Sequence, residues 1–302
     1  NVIGNAATRV AALLSGDVSM VYTVPPADME RIARTDGLKL LQTPELRTVF
    51  LGFDVLRDEL LKSDVKGKNP FKDVRVRQAF NMAVDINAIK TRVMRNQSNP
   101  TGMVFGPGVN GYVKADDVRY PYDPEGAKKL LAEAGYPNGF AITLDCPNDR
   151  YINDEAICQA VTIMLTRIGI KATLNAQPRL KHFADISAPN WNTSFYMLGW
   201  TPSTYDAHNA LFNLAGTPNG VRGIFNDGRY SNAAFDTLVD QIAVETDVAK
   251  RNAMIKQASA MLHKDAAVLP LHQQVVVWAA RSNIDLVQSA DNSFPLRFVR
   301  VK

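Results

Sequence analysis

The residues best equipped for chemistry cluster in one short stretch. Leu198-Gly199-Trp200-Thr201 runs into Tyr205-Asp206-Ala207-His208. A flat indole, a phenol, a carboxylate and an imidazole follow an apolar segment (193–198) that reads as a strand. At a strand end such residues can line a cleft, the indole giving contact area and the carboxylate giving charge. The same residues can equally plug the sheet end, with Asp206 capping a helix over 207–214. A second cluster is Asn148-Asp149-Arg150-Tyr151, just ahead of a helical pattern that starts at Asn153. An arginine before a helix N-terminus is electrostatically poor, because that end of the helix dipole is positive. A bound anion would repair the placement. Asn226 and Tyr230 fall on a loop further along and are weaker ligand-contact candidates.

Motifs for catalysis do not turn up. There is no G-x-S-x-G nucleophile elbow, no H-E-x-x-H, no C-x-x-C and no P-loop; Gly102 and Gly106 lack the following Lys-Ser/Thr. Asp206 and His208 are two residues apart on a helix and do not face each other. His182 and His263 fall on helical patterns and read as partly exposed. His272 reads as a satisfied structural histidine. Cys146 and Cys158 have no visible metal frame; a disulfide between them is geometrically possible, but two isolated buried thiols is the reading preferred here. No cofactor and no metal are implied.

These residues must be positioned by alternating elements. Helical periodicity marks 5–14, 29–34, 74–84, 86–94, 126–134, 153–168, 180–187, 207–214, 231–244 and 247–264. Strand patterns mark 18–24, 38–41, 46–55, 140–146, 170–176, 193–198, 267–271 and 275–279. A charged stretch at 57–69 reads as a loop or a short exposed helix near a boundary, and 97–117, rich in Gly, Pro and Asn, as a long surface excursion. This alternation argues for α/β layers. The chain has 302 residues, 46% hydrophobic and 21% charged, with a net charge of +4. That fits a soluble globular protein, long enough for two compact units of ordinary size. The basic residues are interspersed with nearly as many acids, so no stripe points to nucleic acid. No apolar run approaches the roughly 18 residues that a membrane span needs.

Five local patterns occur in order. They are Asn69-Pro70-Phe71-Lys72-Asp73-Val74-Arg75-Val76-Arg77-Gln78-Ala79-Phe80; the run from Tyr122-Asp123-Pro124-Glu125 to Ala134-Gly135-Tyr136; Leu198-Gly199-Trp200; Tyr230-Ser231-Asn232 with Phe235-Asp236; and Ala267 to Gln273. Together they resemble the family 5 extracellular solute-binding proteins of peptide and nickel ABC importers, the dipeptide- and oligopeptide-binding type. The resemblance covers essentially the whole chain. It implies an α/β, periplasmic-binding-protein-like fold (type II, cluster C). It also implies a C-terminal portion of a longer, three-lobed protein, with residues 1–50 and 272–302 forming part of the first lobe and 51–271 a whole third lobe. Gly16-Asp17-Val18-Ser19 resembles a turn of the family's first lobe. Such a portion would bind ligand weakly or not at all and leave apolar surface on the partial lobe. The implied function is capture of a peptide or similar small zwitterion in an interlobe cleft and delivery to permease subunits. The protein would be extracytoplasmic, peripheral to the membrane and monomeric. Arg150 matches an arginine that holds the ligand carboxylate in the dipeptide binders, and Trp200 matches their cleft tryptophan. Their ammonium-binding aspartate falls at Pro202-Ser203-Thr204 here, with Asp206 a few residues later. The spacing W-x-x-x-x-Y-D-x-H also resembles the nickel-chelate binders, which leaves a chelate or metallophore ligand as an alternative. A peptidase-like hydrolase is a reading from another class.

Overall fold

The computed structural model describes residues 2–302. The chain opens with α1 (Ala6–Ser15), β1 (Met20–Tyr22), α2 (Met29–Ala33) and the long strand β2 (Leu38–Phe53). After an irregular stretch come α3 (Val74–Ala83), α4 (Ile86–Ala88) with a π-helical turn behind it, β3 (Ser98–Pro100) and α5 (Pro124–Glu133). The centre alternates through β4 (Ala141–Pro147), α6 (Asp154–Thr166), β5 (Lys171–Gln177), α7 (Arg179–Ile186), β6 (Phe195–Trp200) and α8 (Ala207–Leu214). Two longer helices, α9 (Ala233–Val244) and α10 (Val248–Lys264), lead to β7 (Val268–Arg281). A short pair, β8 (Ile284–Asp285) and β9 (Arg300–Val301), closes the chain.

The main sheet runs β1-β7-β2-β6-β4-β5, with β3 added to β7. β4 and β5 are parallel, whereas β2 pairs antiparallel with both β6 and β7. Alternation along each strand sends side chains to opposite faces. Val49, Leu51 and Phe53 of β2, with Phe195 and Met197 of β6, join a core under α3, α5 and α6. Five phenylalanines knit it together; Phe53 lies 4.9 Å from Phe71 and 5.4 Å from Phe195 between ring centres. Phe50, Tyr196 and Leu198 point the other way, onto α8, α9 and α10. The expected α/β layering is therefore observed, with helices on both faces.

A third core joins α1, α2 and β1 to the far ends of the same strands: Val10, Leu13, Val21 and Ile32 pack with Val277 and Ala279. β2 and β7 thus pass through two packing environments. The sequence pattern suggests two strands in each place, and the structure has one. Thr43-Pro44 reads as a break in β2, but Pro44 pairs with Val275 at a register shift that resumes at Thr48 opposite Gln273. A bulge tolerates a residue without an N–H. In β7 the polar pair Gln273-Gln274 interrupts the apolar pattern, yet both side chains are buried.

Two further expectations are corrected. Cys146 and Cys158 are not isolated thiols: they form a disulfide, S–S 2.04 Å, fully buried between β4 and α6. The first turns of α6 fold back over the end of β4 and bring the Cα atoms to 6.6 Å, a proximity that spacing alone does not reveal. His182 is fully buried rather than partly exposed, and its Nε2 lies 2.9 Å from the Met197 carbonyl. His263 is half-buried and stacks on Tyr120. His272, on β7 opposite Val49 and Pro100, is buried as expected but not satisfied, since neither ring nitrogen has a partner.

Two outcomes follow from this packing. Replacing both cysteines by serine removes a short cross-link and should cost roughly 3 kcal/mol of stability by loop-closure entropy; an unchanged guanidinium chloride midpoint would contradict it. Burial, with Arg119 adding to it, pushes the His272 imidazole down from 6.5 to about 3. The unfolded chain then binds the proton that the native state refuses. Stability from this group is present above pH 6.5 and lost as pH falls towards about 3. His272→Phe should flatten the pH dependence of urea unfolding across that window, and parallel curves would show that the imidazole is not held neutral.

Candidate ligand cleft

An open cleft of about 980 Å³ separates the α1–β1 region from the N-terminal end of α6. Its floor is made by β2 and β7, through Glu45, Arg47 and Gln274. One wall carries Ile3, Arg9 and Tyr22, the other Arg150, Tyr151 and Asp154.

The second wall is built from the loop 148–153. β4 stops at Pro147, and the disulfide behind it fixes where α6 restarts. Asp149 accepts the Arg179 N–H at 2.6 Å, which pins the loop to α7. Asn153 does not cap α6 as its position suggests. It takes a left-handed conformation, φ 56°, and its amide donates to the Val93 carbonyl. Asp154 supplies the carboxylate instead, accepting from the backbone N–H of Arg150 at 2.8 Å, Tyr151 at 2.9 Å and Glu155 at 3.0 Å. Acceptors at a helix start satisfy donors that the helix itself leaves open.

Tyr151 keys this loop to the sheet. Its hydroxyl accepts the Gly199 N–H at 2.7 Å. Burial pushes the phenol up to about 12. A Cβ at Gly199 would stand 2.7 Å from the tyrosine ring and 3.2 Å from Arg47 Cδ, so the glycine in Leu198-Gly199-Trp200 is a close-approach residue. Two guanidiniums lie near the same ring, Arg150 with its Cζ 5.2 Å from the centroid and Arg47 at 5.9 Å.

Arg47 is held by two polar partners. Its Nε donates to Thr201 Oγ1 at 3.1 Å, and its Nη1 faces Glu45 Oε1 at 3.2 Å. The other Glu45 oxygen accepts from Gln274 Nε2 at 2.7 Å, and Gln274 Oε1 accepts the Ile152 N–H at 3.0 Å. Burial raises the Glu45 carboxyl, opposed by Arg47, and lowers Arg47, opposed by Glu45. The chain of bonds joins β2, β6, β7 and the arginine loop in one polar unit.

Of the residues singled out from sequence, the fold brings Arg150 and Tyr151 into this cleft. Trp200 lies on the opposite face of β6, half-buried, with Nε1 donating to Asn209 at 2.9 Å and Phe225 at 4.8 Å. Asp206 caps α8 through the His208 N–H and forms a two-pronged pair with Arg251 at 2.7 and 2.9 Å. Burial would raise its carboxyl, but Arg251 and Asn110 outweigh burial and hold it low. His208 packs on Phe212 within that layer. Tyr205 is exposed, and its hydroxyl bonds Asp291 at 3.0 Å. Asn226 and Tyr230 are buried: the Asn226 amide donates to the Gly216 and Tyr230 carbonyls, and Tyr230 donates to Asp265. Glu45, Arg47 and Gln274 are missed by the sequence reading. The signal for them was charge and amide groups inside apolar strand patterns, at Pro44-Glu45-Leu46-Arg47 and Gln273-Gln274.

Gly199→Ala should force the phenol from its seat and cost about 1–3 kcal/mol as an overpacked contact. Thermal unfolding reads the loss, and a variant as stable as the parent would show that the ring can move aside freely.

The family model for bacterial extracellular solute-binding proteins, family 5, matches residues 1–221. Glutathione-binding protein GsiB of Escherichia coli strain K12 is 26% identical over 280 residues, 92% of this chain and 52% of that protein. Heme-binding protein A of Haemophilus influenzae is 31% identical over 281 residues, 91% of this chain and 48% of that protein. The chain therefore spans about half the length of these curated relatives. Among solved structures, the periplasmic binding protein DppA of Helicobacter pylori, in complex with the peptide STSA, superposes with a TM-score of 0.87 at 22% identity. That match covers 100% of this chain and 56% of the other. With the strand order and the cleft described above, these matches establish that the chain belongs to the family 5 bacterial extracellular solute-binding proteins.

Proposed function

We propose that this chain forms the ligand-holding part of an extracytoplasmic solute-binding component of an ABC importer, taking peptides or similar small zwitterionic solutes. The observation that carries the reading is the open cleft with Arg150 and Tyr151 presented on a braced loop over a polar floor. Relatives whose names specify glutathione and heme binding, and a fold neighbour holding a peptide, support a solute-binding role and leave the ligand to be found by experiment. No helix among the described residues is long and apolar enough to cross a membrane, consistent with a protein that works with membrane permease subunits from outside.

In this reading residues 1–50 and 272–302 belong to one lobe and 51–271 to the other. β2 and β7 are the crossing strands, and the register shift between Pro44 and Thr48 is where a closing rotation would be absorbed. Arg150 offers a planar fork to a ligand carboxylate. The half-buried Trp200 beside Phe225 offers an aromatic edge on the other face of β6. The solute is held and released unaltered.

Calorimetry with glutathione, dipeptides and tetrapeptides tests this directly, with mass spectrometry of the recovered peptide. Saturable heat and intact recovery are expected, with affinity lowered roughly tenfold or more in Arg150→Ala, the scale of a hydrogen bond to a charged group. Affinity unchanged in Arg150→Ala would remove the arginine from the ligand contacts, and cleaved peptide would restore the hydrolase.

A further inference from the structure

Glycine follows asparagine at three places, Asn110-Gly111, Asn138-Gly139 and Asn219-Gly220. Such a pair can react with itself, because glycine has no Cβ to crowd its nitrogen and that nitrogen can attack the asparagine amide carbon. The dipeptide ranks the three places equally; the fold does not. Asn110 is strapped on both sides. Its N–H donates to the Tyr205 carbonyl at 2.8 Å, and its carbonyl accepts the Ala207 N–H at 3.0 Å. Its side-chain amide donates to Asp206 Oδ2 at 2.8 Å. At Asn138 the attacking group is tied and crowded. The Gly139 N–H donates to the Tyr136 carbonyl at 3.0 Å, and a Cβ at Gly139 would stand 2.0 Å from the Gly169 carbonyl oxygen. The third pair differs. Asn219 and Gly220 are both exposed. The Gly220 N–H has no acceptor among the described residues, and a Cβ there would meet nothing within 4 Å. Asn219 Oδ1 accepts the backbone N–H of Val221 at 3.0 Å and of Arg222 at 2.8 Å. Donors aimed at that oxygen stabilise the negative charge that attack on the amide carbon would place there.

We propose that Asn219 is a self-modification site, at which the folded chain converts asparagine to aspartate and isoaspartate through a cyclic imide with Gly220. Solvent base takes the Gly220 N–H proton, and the nitrogen bonds to Asn219 Cγ. The Cγ–Nδ2 bond then breaks, and Nδ2 leaves as ammonia with a proton returned from solvent. Water opens the imide at either carbonyl. Breaking the new Cγ–N bond gives aspartate; breaking the original backbone bond gives isoaspartate. One water is consumed, one ammonia is released, and nothing is oxidised or reduced. The product adds a carboxylate to a loop that Arg222 braces against α9, with Nη2 3.1 Å from Asp236 and Nη1 2.7 Å from Asp240. Isoaspartate also lengthens the backbone by a carbon, in the loop that carries Phe225 to its place 4.8 Å from Trp200.

Peptide mass spectrometry tests it. The 302-residue chain is held in warm, mildly alkaline buffer, folded in one sample and unfolded in guanidinium chloride in another. The exchange of NH for O is then followed at each of the three asparagines. In the unfolded chain the three should convert at comparable rates. In the folded chain Asn219 should convert roughly tenfold or more faster than Asn110 or Asn138, the scale that one hydrogen bond adds to a barrier. Equal rates in the folded chain overturn the assignment, as does an Asn219 that stays intact while the unfolded chain converts. Electron-transfer fragmentation should find isoaspartate beside aspartate at position 219; aspartate alone would mean direct hydrolysis and overturn the imide. Asn219→Gln, whose longer side chain must close a larger ring, should leave that position unmodified, and conversion there at the parent rate overturns the role of the asparagine.

Discussion

The antiparallel pairing of β2 with β7 is the interaction on which the remaining architecture depends. It runs from Leu38 opposite Arg281 to Gly52 opposite Val268. At one end the two strands supply Val277 and Ala279 to the core under α1 and α2; at the other they supply Val49, Phe50 and Leu51 to the two larger cores. The bulge at Pro44 lies where the packing changes, and the floor of the cleft lies beside it. Glu45, Arg47 and Gln274 are therefore polar because of where they stand: the helices that cover the sheet at either end do not reach this middle segment. Buried charge there is tolerated because it is paired and hydrogen-bonded.

Much of the scaffold was legible from sequence because it follows local rules. Asp206 before an apolar helical pattern is a cap, and the structure has it capping α8. Asp123-Pro124 opens α5 in the same way. The helices α9 and α10 are visible as periodic runs with Asn232 and Asp247 at their starts. What escaped was non-local. A proline and a glutamine pair look like strand ends unless one knows that a bulge or a partner amide awaits them. The cross-link between Cys146 and Cys158 depends on how α6 folds back over β4, and spacing does not encode that angle.

The candidate site was half legible for a reason of parity. Gly199 and Trp200 are adjacent in a strand, so they face opposite sides of the sheet. The indole attracts attention as the larger group, yet the missing side chain at Gly199 admits Tyr151 and seats the arginine loop. Arg150 was visible because its position before α6 is electrostatically unusual. Arg47 lies inside a strand pattern, and nothing in its spacing marks it as cleft lining. Asp206, Asn226 and Tyr230 have chemistry-bearing side chains and spend them on internal bonds, and His208 packs on Phe212.

The link between Cys146 and Cys158 encloses the segment that carries Arg150 and Tyr151. That segment is a covalent hoop, closed at its base by sulfur. The two side chains are carried on a loop whose length the cross-link fixes, and the hoop persists even in a chain that has lost every other contact.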